Sequence, residues 1–161
     1  MGEKIKNIKN KIITKEELIL ILKQYKNKKI VWCNGCFDLF HVGHLNYLKN
    51  ASNLGDILIV AVNSDESIKK YKGKDRPVQP EQERMENVAM LQVVDYVIKF
   101  DSIDTTQLLK EVKPDVFVVS DAIGENEKRE SEIVRGYGGE IKVVPRTKFI
   151  STTEIIERII N

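Results

Sequence analysis

The chain holds only two histidines, His41 and His44, three residues apart and just beyond an apolar run. On the first turn of a helix, residues at that spacing project from one face. Two imidazoles aimed at a phosphate can donate hydrogen bonds to its oxygens and stabilise charge building there. Gly35 and Gly43 accompany them. Gly35 lets backbone N–H groups approach an anion. A helix starting near 41–43 adds free N–H groups and the positive end of its dipole. The bland alternative is one buried structural histidine and one exposed one. The clustering of both with two glycines after a strand end favours chemistry. The segment is not G-x-G-x-x-G and lacks the Lys-Ser/Thr of a P-loop, so those phosphate cradles are excluded.

Cys33 and Cys36 form a C-x-x-C, and with the histidines they spell C-x2-C-x4-H-x2-H. Zinc ligand pairs usually lie much further apart and on separate elements, so neither zinc nor a redox couple is expected. No metal-ligand set is read from these residues.

The elements that must position this loop follow from apolar patterning. Lys29-Ile30-Val31-Trp32-Cys33 reads as a buried strand. Further strands are expected at 57–62, 93–98, 115–119 and 141–144. Helices are expected at 42–53, 65–70, 81–91, 104–111, 126–136 and 152–160, with a polar loop at 71–79. Gly55 is expected as a left-handed cap. Residues 1–13 are rich in Lys and Ile without a period, and are expected to form a loose arm. Thr14 and Glu17 match a capping box ahead of a helix at 15–26, packed on the outside of the domain. The organisation expected is an arm and helix over 1–27 and the main domain over 28–161.

Apolar strands alternating with helices specify an α/β fold: a Rossmann-like, doubly wound, five-stranded parallel sheet in one domain with an extra N-terminal helix. Ligands in such sheets sit at the carboxyl ends of the strands, where strand order reverses. Function should therefore lie just after Cys33, Asn63, Val119 and Val144.

The bulk numbers fit this reading. Across 161 residues, 42% are hydrophobic and 31% charged, a globular composition. Twenty-six basic against 24 acidic residues leave a net charge of +2, so no bulk attraction to nucleic acid or membrane follows. No apolar run approaches the about 20 residues that span a bilayer. The first residues lack a secretory core, and Lys6 stands where a myristoylation signal needs Ser or Thr. A soluble cytoplasmic protein is expected.

His41-Val42-Gly43-His44 resembles the H-x-G-H signature of the cytidylyltransferase-like nucleotidylyltransferases, over a span from about Lys29 to Ile160. That superfamily also includes adenylyltransferases and, more distantly, class I aminoacyl-tRNA synthetases. The resemblance implies transfer of a nucleoside monophosphate to a phosphorylated acceptor, with release of pyrophosphate and usually with Mg2+. It implies that His41 and His44 stabilise the transition state at the α-phosphorus, while Cys36 and Phe37 offer backbone N–H groups to the triphosphate. Asp38, with Asn63 and Asp65 of Asn63-Ser64-Asp65, resembles the acceptor side; plain capping by Ser64 or Asp65 is the alternative. Lys72, in Lys72-Gly73-Lys74-Asp75-Arg76-Pro77, resembles the triphosphate-binding lysine of a mobile loop. Arg84, in Gln82-Glu83-Arg84-Met85, would hold the same charge or brace that loop.

Arg146-Thr147 and Ile150-Ser151-Thr152-Thr153 resemble the second signature, whose hydroxyls and helix start meet the nucleotide phosphates. Ser151 and Glu154 also satisfy a capping box on their own. Asp121 belongs to the same nucleotide side by resemblance.

Two relatives compete for the acceptor. From Asn34-Gly35 through Asn63-Ser64-Asp65 to Val94-Asp95, the chain resembles the adenylyltransferase domain of bacterial ADP-heptose synthases. These use ATP and a heptose 1-phosphate for surface glycan precursors. Arg146-Thr147 ahead of I-S-T-T resembles glycerol-3-phosphate cytidylyltransferases, which use CTP, although those carry Gly where this chain has Phe149. Val119-Ser120-Asp121-Ala122 departs from both families. An FAD synthetase-like adenylyltransferase is a more distant reading, and a non-catalytic nucleotide-binding module is another. The latter should have lost a signature histidine or the basic loop, and neither is lost. A homodimer is expected.

Overall fold

All five apolar runs form strands, and all of them are parallel. The computed structural model describes residues 8–148 and 150–160. The strands β1 (Ile30–Gly35), β2 (Ile57–Asn63), β3 (Tyr96–Phe100), β4 (Val116–Ser120) and β5 (Glu140–Val144) lie in the order β3-β2-β1-β4-β5. The helices are α1 (Lys15–Leu22), α2 (Val42–Ser52), α3 (Asp65–Lys72), α4 (Glu81–Ala89), α5 (Thr106–Val112), α6 (Glu125–Gly136) and α7 (Thr152–Ile160). From β1 the chain runs outward through β2 to β3, then returns to place β4 on the other side of β1. Connections leaving β1 and β4 therefore diverge, and a crevice opens at their carboxyl ends.

Strand alternation builds a core on each face of the sheet. Val31 and Cys33 of β1, with Leu58, Val60 and Val62 of β2, pack against Leu48, Met85 and Val88 from α2 and α4. Trp32, Ile59 and Ala61 point the other way, toward Leu18, Leu109 and Val134 from α1, α5 and α6. Every residue of β2 is buried, as a central parallel strand covered on both faces requires. Leu18 is fully buried in this core.

Carboxylates tie the sheet together where strands begin. Asp56 accepts the Lys29 N–H, Asp115 accepts the Ile30 N–H and Asp95 accepts the Leu58 N–H, at 2.7 to 2.9 Å. The third of these moves a boundary. The expected strand at 93–98 instead begins at Tyr96, because Val94 donates to the Leu91 carbonyl in a turn and Asp95 faces β2. Val94 is buried all the same, so its apolar character reports burial rather than extension.

Two expectations at the N-terminal end also change. The helix expected at 15–26 stops at Leu22, where single turns follow and Tyr25 pairs its hydroxyl with that of Tyr96 at 2.8 Å. The capping box of Thr14 and Glu17 is present. The arm expected to be loose is docked over its described part. Residues Ile8–Asn10 form a 3-10 turn, the Val97 N–H donates to the Lys11 carbonyl, and the Ile13 N–H donates to Val97. This segment covers the outer edge of β3 and satisfies groups an open sheet edge would leave unpaired. Residues 1–7 of the arm lie outside the described residues.

Candidate active site

The site is assembled from the loop after β1, the start of α2, the end of α3, the end of β4 and the segment entering α7. These enclose a cleft of about 660 Å3 at the carboxyl edge of the sheet. That size suits a nucleotide-class ligand.

His41 is the N-cap of α2. Its Nδ1 accepts the Gly43 N–H at 3.1 Å, and the Nδ1 of His44 accepts the His41 N–H at 3.4 Å. The two rings thus reproduce a capping box with imidazoles in place of the usual Thr and Glu. A ring that accepts at Nδ1 carries its proton at Nε2 when neutral. The rings stack with centroids 3.8 Å apart, and Phe37 and Phe40 pack against His44. Burial lowers the pKa of both histidines; for His44 the neighbouring His41 and Lys72 add to it, taking the group down to about 3. Both rings line the cleft as neutral Nε2–H donors near pH 7.

That state has a pH consequence. The ordinary histidine value is 6.5, whereas folded His44 resists protonation down to about 3. Between those values the unfolded chain takes up a proton that the folded ring refuses, so stability falls as pH drops below about 6.5. Proton-detected nitrogen NMR should find His44 neutral and in the Nε2–H form at pH 5.5. A His44→Gln variant should show a shallower loss of denaturation midpoint between pH 7 and 4.5. Titration of His44 near 6.5 would refute the assignment.

Gly43 is required by the first ring. A Cβ at this position would lie 2.7 Å from Cε1 and 2.8 Å from Nδ1 of His41. Gly43→Ala should therefore displace the imidazole and lose the cap, cutting turnover at least about tenfold, an order of magnitude typical of misplaced catalytic groups. Unchanged turnover in that variant would show that the ring can yield without consequence.

The loop between β1 and α2 is strained and anchored. Phe37 and Leu39 have φ of 50° and 45°, in the left-handed region that non-glycine residues seldom occupy. Asp38 lies between them, 1% exposed, and was expected at the acceptor. The structure corrects this. Its carboxylate accepts the backbone N–H groups of Val78 and Gln79 and is paired with Arg76 at 2.9 Å. Burial alone would raise its pKa, but those donors and the Arg76 charge hold it below the ordinary carboxylate value. The Asp38 carbonyl also accepts the Thr152 hydroxyl at 2.7 Å. Asp38 thus joins three segments and has no carboxylate oxygen turned to a ligand.

Arg84 shows the same pattern. It was expected at the triphosphate or as a brace, and it is a brace. The side chain is fully buried and donates to the carbonyls of Gln79, Cys36 and Asn63 and to the Asp65 carboxylate, at 2.6 to 3.0 Å. Its charge is consumed inside the protein. Asp65, also expected on the acceptor side, holds that guanidinium at the start of α3 and does not line the cleft. Asn63 is 4% exposed, donates to Ser67 Oγ and reaches only a smaller side cavity. Ser64 caps α3, so the capping alternative holds for that residue.

The other expected residues meet around the cleft. Gly35, Cys36, Phe37 and Gly43 form its floor beside the histidines. Lys72 approaches from the last turn of α3, above the Tyr71 ring. Ile150, Ser151, Thr152 and Thr153 close the far side, and Ser151 caps α7 by accepting the Glu154 N–H. Phe149 lies outside the described residues. Arg146 pairs with Asp121 at 3.2 Å on the exposed rim, and Thr147 accepts from Asn46 of α2. Sequence reasoning did not single out Tyr71, Asn46, Glu127 or Glu130. Arg76 was quoted only as part of a basic loop. Tyr71, Asn46, Arg76 and Glu130 acquire their places through partners distant in the chain, whereas Glu127 accepts the Gly124 N–H three residues away in a capping box at the start of α6.

Among the described residues, no group of three or more His, Cys, Asp or Glu side chains could hold a metal ion. Cys33 is buried in the core, and burial raises its thiol pKa. No helix among the described residues is long and apolar enough to cross a membrane.

Comparison with known proteins agrees with this arrangement. Residues 32–158 match the family model described as cytidylyltransferase-like. The chain is 41% identical over 150 residues to bifunctional protein HldE of Alcanivorax borkumensis, covering 92% of this chain and 32% of that protein. It is 43% identical over 152 residues to bifunctional protein HldE of Helicobacter hepaticus, covering 94% and 31%. The chain thus spans about a third of the length of these relatives. A crystal structure of the lipopolysaccharide core biosynthesis protein from Thermoplasma volcanium superimposes with a TM-score of 0.63 at 31% identity, covering 77% of this chain and all of that one. With paired imidazoles at the switch point of a parallel sheet, and a family match over residues 32–158 that runs through both signature segments, this chain belongs to the cytidylyltransferase-like family of nucleotidyltransferases.

Proposed function

We propose that the protein transfers AMP from ATP to a heptose 1-phosphate, forming an ADP-heptose and pyrophosphate for surface glycan precursors. An oxygen of the acceptor phosphate attacks the α-phosphorus, and the bond from that phosphorus to the bridging oxygen breaks as pyrophosphate leaves. The observation that carries the reaction class is the pair of neutral Nε2–H imidazoles facing a cleft shared with Lys72 and the start of α7. Neutral donors can strengthen their hydrogen bonds as negative charge gathers on the α-phosphate oxygens, without first being screened by a counter-ion. Lys72 lies where it can offset charge on the departing pyrophosphate.

The heptose acceptor is supported by the resemblance to ADP-heptose synthase adenylyltransferase domains and by the likeness to HldE proteins over more than nine-tenths of the chain. Mg2+ would arrive with the triphosphate, since this ion keeps several waters and is held largely by substrate phosphates. The cleft carboxylates Asp121, Glu127 and Glu154 are the side chains available to it. It would neutralise the β- and γ-phosphate oxygens. A homodimer is proposed from the resemblance alone, and sedimentation equilibrium tests it.

The deciding experiment is pyrophosphate release with ATP, CTP, GTP and UTP, each crossed with heptose 1-phosphate, glycerol 3-phosphate and FMN. The highest kcat/KM is expected for ATP with heptose 1-phosphate. A preference for CTP with glycerol 3-phosphate would replace this assignment, and release with no pair would favour a binding module.

A further inference from the structure

A second cavity of about 240 Å3 opens beside the nucleotide cleft. Asn34, Gly35, Cys36, Lys72 and Glu127 wall both spaces, so the two adjoin. It is smaller than the about 300–1,000 Å3 of ordinary ligand pockets, a size that suits a compact polar molecule and not a second nucleotide. Phe100 and Ile103 supply an apolar side.

Its inner wall contains a cluster with unused hydrogen-bonding capacity. Glu130 of α6 is fully buried, and its Oε1 accepts from the Thr105 N–H at 2.6 Å, the Thr105 hydroxyl at 2.7 Å and the Asn34 amide at 3.3 Å. Its Oε2 has no partner, and neither has Oδ1 of Asn34. Two buried polar atoms left unpaired on hydrogen-bonded residues cost free energy unless something meets them. Both residues wall the cavity.

We infer that this cavity holds the hydroxylated body of the acceptor, and that Glu130 and Asn34 together fix one of its hydroxyl groups. The ligand class is a phosphorylated polyhydroxy compound, with its phosphate at the mouth near Lys72 and its carbon skeleton along Phe100 and Ile103. Burial raises the Glu130 pKa against the Thr105 hydrogen bonds that lower it, and the unpartnered Oε2 is the atom left to meet a hydroxyl group. Asn34 offers the matching acceptor. Glu130 and Asn34 would thus be specificity determinants, and this assignment rests on the sugar-phosphate reading above.

The test uses the full chain with heptose 1-phosphate and ATP. Glu130→Met should raise the acceptor KM about tenfold, the worth of one or two neutral hydrogen bonds, with the ATP KM unchanged. Glu130→Gln keeps a donor and an acceptor and should stay within about threefold of the parent. Because Glu130 also holds Thr105, the unmodified protein is titrated in parallel by amide NMR. Heptose 1-phosphate should shift Asn34, Thr105 and Glu130. An unchanged acceptor KM in Glu130→Met, or shifts confined to the α7 side, overturns the inference. If heptose 1-phosphate neither binds nor turns over, the substrate reading fails on its own. Titrations with glucose 1-phosphate and glycerol 3-phosphate then decide the cavity: shifts at Glu130 with either uphold it, and none with both overturns it.

Discussion

A His41→Ala variant is expected to lose about 10²- to 10³-fold in kcat, the usual cost of removing one preorganised donor from a developing oxyanion. The NTP KM should change little, because the interaction strengthens only as charge builds in the transition state. Alanine removes two things at once: the Nε2–H donor and the Nδ1 cap on Gly43. The cap alone is worth about 1 kcal/mol. His41→Asn separates them, because asparagine caps helices well but cannot place a donor where Nε2 stands. It should regain thermal stability while turnover stays low. His44→Ala should lose a comparable factor, and the double variant should lose much less than the product, since the stacked rings act as a unit. Normal turnover in pure His41→Ala protein would end the proposed mechanism.

The largest effect on stability is expected at Arg84. Its guanidinium satisfies the carbonyls of Gln79, Cys36 and Asn63 and pairs with Asp65, with no exposed surface. Arg84→Ala leaves three carbonyls without their donor and a carboxylate without its cation. Breaking a buried pair in this way costs about 3–5 kcal/mol. For a chain of this length that corresponds to a fall in Tm of about 10 °C. Arg84→Lys keeps the charge but not the fork of donors, so it should recover only a minor part. A residue acting on the triphosphate would behave differently: lysine would largely rescue turnover, and Tm would hardly move. Thermal melts of the two variants beside their NTP KM values distinguish the roles.

Arg84 and Asp38 together explain why the site holds its shape. Arg84 ties the loop after β1 to the ends of β2 and of the basic loop. Asp38 ties the loop after β1 to the basic loop and to α7. The strained Phe37 and Leu39 are held by this double anchorage. The pH dependence of His44 and the Gly43→Ala variant probe the floor of the cleft, and the Glu130 variants probe the adjoining cavity.

The sequence by itself determined the parts of this protein that rest on local spacing. Runs of apolar residues made the five strands legible, since a parallel strand buried on both faces must be apolar throughout. The three-residue interval between His41 and His44 placed both rings on one helical turn, and the glycines beside them marked close backbone approach. Only the tertiary structure decided which charged residues face a ligand and which face the protein. Arg84 and Asp38 sit in segments that resemble ligand-binding motifs, yet apart from their ion pairs with Asp65 and Arg76 both bond backbone groups 5 to 48 residues away. Backbone carbonyls and N–H groups belong to every residue and leave no mark in a sequence, so partners of that kind cannot be read from it. The same reason hid the docked arm at Lys11 and Ile13 and the late start of β3.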